Sequence, residues 1–105
     1  PLRHWPTLPA AGSVLEACLA AIPVMRDDDP DVFRQLLTTT LRRIADRRLP
    51  LLLVGMHESD PLLPVARQFS GREYRTKLYI VHWPHETPDI ESLTRRVPYL
   101  ELGAL

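Results

Sequence analysis

The chain has 105 residues, enough for one domain with a modest core. Apolar residues make up 45% and charged residues 25%, which excludes a globally disordered chain. Lys plus Arg number 13, as do Asp plus Glu, so the basic excess of a nucleic-acid binder is missing, and no apolar run approaches the roughly 18–20 residues of a membrane span.

Residues 1–12 read as an extended lead-in broken by Pro1, Pro6 and Pro9, with Trp5 between them. Over 13–21, good helix formers follow Ser13, and Glu16 three residues on completes a capping box, so a helix is predicted. Cys18 lies within it as a small apolar residue; a lone cysteine fits a reducing compartment. Residues 22–25 read as a short strand or extended connector.

Asp29 can cap a helix, Pro30 suits its first position, and Asp31 favours its positive end. Val32, Phe33, Leu36, Leu37, Leu41, Ile44 and Ala45 then recur at helical spacing, while Arg34, Arg42, Arg43, Asp46 and Arg47 fall largely on the other side. An amphipathic helix is predicted over 30–48, stopped by Pro50. Residues 51–56 form a continuous apolar run, which suits a strand covered on both faces. Asp60-Pro61 repeats the cap-plus-proline signal and starts a short helix over 61–69, ended by Ser70-Gly71. Residues 73–83 alternate as a strand, with Tyr74, Thr76, Leu78, Ile80 and His82 on one face. A helical turn over 89–93 and an edge strand over 97–102 complete the order. These elements predict a single α/β domain over 1–105, with its core in 13–105 and an open mixed sheet carrying two to three helices.

The best chemical candidate is His57-Glu58-Ser59 before Asp60, because ligands of open α/β sheets bind beyond the carboxyl ends of strands. His57 can serve as a general base oriented by Glu58 or Asp60, with Ser59 as a nucleophile, although no G-x-S-x-G elbow accompanies them. The plainer alternative is a loop hydrogen bond at His57 and a helix cap at Asp60. His82, His85 and Glu86 have a spacing that suits a metal, but no second ligand pair stands nearby. Asp27-Asp28-Asp29 lacks the glycine and spacing of a calcium loop and reads as a solvated capping cluster. Arg42, Arg43, Arg47 and Arg48 form a basic stripe that could meet phosphate, and with zero net charge and no interleaved aromatic platform they read as a solvated helix face.

The element order over residues 29–83, with the segments Gly55-Met56-His57-Glu58-Ser59-Asp60-Pro61-Leu62 and Leu78-Tyr79-Ile80-Val81-His82-Trp83, resembles the C-terminal half of a GNAT-type acyltransferase fold. So does the ending Val97-Pro98-Tyr99-Leu100-Glu101-Leu102-Gly103. The resemblance implies a GNAT-like half-fold from a longer bacterial protein, in the cytoplasm, with acetyl-CoA as the family's cofactor. The departures imply that this segment does not bind it. Where the family has a glycine-containing loop that cradles pyrophosphate, this chain has Arg26-Asp27-Asp28-Asp29-Pro30-Asp31, whose carboxylates repel a polyanion and whose proline removes a donor. Residues 61–69 also hold no tyrosine for the family's general acid. The expected role is therefore accessory, with no cofactor unless the full-length protein supplies the site. The expected partner is a second copy or an N-terminal GNAT domain of the same protein. The rivals are an active acyltransferase, a small hydrolase on His57 and Ser59, and a plain protein-interaction module.

Overall fold

The computed structural model describes residues 7–21, 23–99 and 101–102. They form a small α/β arrangement in the order β1 (Ala17–Leu19), a 3-10 turn (Arg26–Asp28), α1 (Pro30–Asp46), β2 (Leu51–Leu53), α2 (Leu63–Ala66) and α3 (Ile90–Thr94). β1 and β2 pair in parallel, with Ala17 opposite Leu51, Cys18 opposite Leu52 and Leu19 opposite Leu53. The Ala20 N–H extends the ladder by donating to the Leu53 carbonyl at 2.9 Å.

α1 forms for the reasons its sequence announces. The Asp29 carboxylate accepts from the N–H groups of Asp31 at 2.9 Å and Val32 at 3.4 Å, and Pro30 fills the first turn. Its stripe buries Phe33, Leu37 and Ile44. The helix stops in a Schellman arrangement: the Arg48 N–H donates to the Ala45 carbonyl and the Leu49 N–H to that of Ile44. Arg48 takes the left-handed conformation, φ 56°, which usually falls to glycine. Replacing Asp29 with Ala leaves two first-turn donors without their acceptor. The expected loss is about 1 kcal/mol in urea unfolding, with α1 fraying first.

The core is small. Phe33, at 2% exposure, packs with Leu37, Leu62 and Val65, and Met25, Leu52, Val54, Met56, Ala66 and Phe69 close around them. α1 thus seals one side of β2 while α2 lies against α1. The radius of gyration is 16.5 Å, above the roughly 13 Å of a compact chain this long, in keeping with the exposure of nearly all of residues 70–99.

Four expectations are corrected. Residues 13–21 hold no helix: Ala17–Leu19 is a strand, because pairing with β2 outweighs helix propensities worth at most about 0.7 kcal/mol per residue. Among the described residues the sheet is parallel and two-stranded rather than mixed. Residues 73–83 form no ladder, because no strand among the described residues lies beside them. Among the described residues of 97–102, none is a strand; Leu100 lies outside the description, as do residues 1–6 (with Trp5), Ile22 and 103–105. The remaining shifts are of boundaries. α1 ends at Asp46, β2 covers the first three residues of its apolar run, and α2 is the regular centre of the helical turns between Pro61 and Phe69.

Candidate functional site

The predicted residues His57, Glu58 and Ser59 lie on the turn that leaves β2. The Asp60 N–H closes this turn by donating to the His57 carbonyl at 3.0 Å. Asp60 then starts the next helical turns, its carboxylate accepting from the Leu62 N–H at 2.8 Å. His57 is half-buried, while Glu58 and Ser59 are exposed. The Ser59 N–H donates to His57 Nδ1 at 3.1 Å, and Ser59 Oγ stands 2.6 Å from the same nitrogen. A ring nitrogen that accepts from an amide carries no proton, so the hydroxyl is the donor in this second bond.

A serine hydroxyl donating to an imidazole is the starting geometry for general-base activation. Acyl transfer also needs aligned donors for the oxyanion and a cleft that excludes water. The two shallow hollows described lie elsewhere. One of about 320 Å³ is lined by Asp89, Glu91, Ser92, Arg95 and Arg96. The other, of about 300 Å³, runs along α1 past Arg34, Thr38 and Arg42. The His57–Ser59 bonds lie within the turn that follows β2.

The other candidates separate. His82 Nδ1 lies 2.9 Å from the Trp83 carbonyl, to which it donates, and His85 and Glu86 sit exposed on the adjoining turn. Among the described residues, no three His, Cys, Asp or Glu side chains gather as a metal-holding group. Asp27 and Asp28 adopt left-handed backbone, φ 54° and 48°, which the short carboxylate side chain tolerates. The loop before α1 therefore carries the exposed carboxylates of Asp27 and Asp28. No helix among the described residues is long and apolar enough to cross a membrane.

Among the described residues, exposed large apolar side chains gather in the segment of residues 73–83. Tyr74 is 91% exposed, Val81 92% and Trp83 69%, with Leu78, Tyr79 and Ile80 also open to solvent. Its root is fixed by a clamp that the sequence reading missed. Arg67 Nε donates to Glu73 Oε1 at 2.6 Å, and Nη2 approaches Oε2 at 3.5 Å. Arg34, held by Asp31 at 2.6 Å, donates to Gln68 Oε1 at 2.9 Å and ties the same end of the α2 turns to α1. Opposite charges on either side of Ser70-Gly71 were the one available signal. At the far end, a Cβ placed on Gly55 would meet the Leu102 side chain at 2.8–2.9 Å, so the tail returns to the end of β2, where Gly55 leaves room for it.

The clamp has a pH signature. The hydrogen bond from Arg67, helped by the charges of Arg67 and Arg75, holds the Glu73 carboxyl below the usual carboxylate range. A carboxyl lowered on folding contributes its stabilisation above its unfolded value, and that contribution fades as pH falls through the folded value. Carbon-detected titration of Glu73 is expected to give a midpoint below the roughly 4.3 of an unpaired glutamate, and Arg67→Ala should return it to that range. Both groups are about half exposed, so added salt should shrink the difference.

In comparisons with known proteins, no family model, no curated protein and no solved structure matches the chain.

Proposed function

We propose that this chain is an assembly domain, an α/β unit that holds residues 73–83 out as an unpaired strand for another polypeptide and carries no catalytic centre of its own. The observation that supports this is the exposure of Tyr74, Leu78, Tyr79, Ile80, Val81 and Trp83 on one segment whose sequence alternates as a strand does. Such a surface on a lone chain marks an interaction site, and an unpaired strand adds its backbone N–H and C=O groups to the recognition. The resemblance of residues 29–83 to the C-terminal half of a GNAT-type acyltransferase supplies the setting: an accessory, GNAT-like half-fold domain of a longer acyltransferase-related protein, contributing an interface or one wall of an acceptor cleft. The carboxylates of Asp27, Asp28, Asp29 and Asp31 support the separation from acetyl-CoA, since four acidic residues in the segment leading into α1 disfavour a polyanion there.

The test is a titration with acetyl-CoA and CoA followed at every backbone amide. The expected result is a folded protein with no saturable shifts at residues 26–33 up to millimolar ligand. Saturable shifts there would make the chain a working acyltransferase domain. A second reading, a small hydrolase, rests on the 2.6 Å contact between Ser59 Oγ and His57 Nδ1. It requires esterase activity that disappears in His57→Ala while the fold is kept.

A further inference from the structure

We infer that the occupant of residues 73–83 is the same segment of a second copy, paired antiparallel about a two-fold axis at Leu78. This rests on the reading of the segment as an unpaired interaction strand, and it names the partner. In that register Glu73 stands opposite Trp83, Tyr74 opposite His82, Arg75 opposite Val81, Thr76 opposite Ile80, and Lys77 opposite Tyr79.

The charge pattern selects this arrangement. Glu73, Arg75 and Lys77 all lie in the first half of the segment, and residues 78–83 carry no acid, lysine or arginine. Antiparallel pairing lays the charged half of one copy on the apolar half of the other. The stems of Arg75 and Lys77 then cover Val81 and Tyr79, with the Tyr79 and Trp83 rings in reach of both cations. Parallel pairing in register would set Arg75 against Arg75 and Lys77 against Lys77, and like charges opposite one another are destabilising. An axis at Thr76 would set Arg75 against Lys77, and one at Lys77 would oppose it to itself. An axis at Leu78 pairs all of residues 73–83 and opposes no like charges.

The face shared by Tyr74, Thr76, Leu78, Ile80 and His82 bears no acid, lysine or arginine in either copy, so it suits a buried side. Of the three aromatic residues per copy, Tyr74 lies on this face and Tyr79 and Trp83 on the other, so pairing covers aromatic area on both sides of the ribbon. A two-stranded ribbon is marginal by itself, which places the association in the micromolar range. The symmetry is isologous and closed, so it stops at a dimer.

The test uses the full chain with Cys18→Ser. Leu78→Cys puts the two thiols across the axis at a separation a disulfide spans. Thr76→Cys, on the same face, lies four residues from its own copy, about 13 Å along the strand and beyond that reach. Oxidation is expected to link Leu78→Cys at least tenfold faster than Thr76→Cys, and native mass spectrometry of the unmodified chain should show dimer at tens of micromolar. Equal linking rates would overturn the register and the axis with it. A monomer at all concentrations, cut readily by trypsin at Arg75 and Lys77, would overturn self-pairing while leaving the strand open to another partner. A monomer resistant at those two sites would overturn both readings, since the segment would then be paired within its own chain.

Discussion

Phe33→Ala is expected to abolish the cooperative unfolding of this chain or to bring it close to room temperature. Phe33 is the most deeply buried large side chain among the described residues, and it joins α1 to Leu62 and Val65 at the turns of α2. Truncating a buried phenylalanine costs about 3–5 kcal/mol, as lost transfer energy plus the cavity left behind. Domains of this size have about 5–15 kcal/mol in all, and a core of six buried apolar residues among those described puts this one at the low end. Refilling the cavity is difficult, because Leu37 and Leu62 are already engaged with each other and with Val65. Val32→Ala is the matched control: the neighbouring position on the same helix is exposed, and its change is expected within about 0.5 kcal/mol. Urea unfolding followed by circular dichroism checks both. A Phe33→Ala loss below about 1 kcal/mol would mean that the core has been wrongly located.

Proline substitution in residues 73–83 gives the largest expected effect on association. In an antiparallel pair, successive residues point their N–H groups alternately toward and away from the partner. Ile80→Pro and Val81→Pro therefore differ: one removes an inter-strand donor and places a ring against the facing strand, and the other points its ring outward. One of the two is expected to raise the dimer dissociation constant more than tenfold, about 1.4 kcal/mol, and the other to raise it much less. Neither should move the melting temperature of the monomer appreciably, because both side chains are exposed and outside the core. Sedimentation equilibrium supplies the constants. Equal, small effects at both positions would argue that the backbone takes no part in the contact.

What the sequence conveyed depended on whether the deciding interaction was local. α1 was readable because its cap, its proline and its apolar stripe all act within one element. The Asp60-Pro61 signal likewise located the turns of α2, and the apolar run located β2. Residues 13–21 misled because Leu, Ala and Cys packed behind Ser13 carry a helical signal, whereas the state of Ala17–Leu19 is decided by β2, more than thirty residues away. Residues 73–83 carry a clear strand pattern, but a pattern states what a segment can pair with and not whether a partner exists in the same chain. His57, Glu58 and Ser59 could be flagged from their place after an apolar strand, yet the bond between Ser59 and the His57 ring depends on the path of the turn. The Arg67–Glu73 clamp and the return of Leu102 to Gly55 follow from chain reversals that leave no periodic trace.

Hydrogen exchange at the amides of residues 73–83 across a dilution series tests the central claim most directly. The account predicts protection that is present at high protein concentration and lost on dilution, while the amides of α1 keep theirs throughout. Protection of the segment that is independent of concentration would contradict it, because the strand would then be satisfied within a single chain.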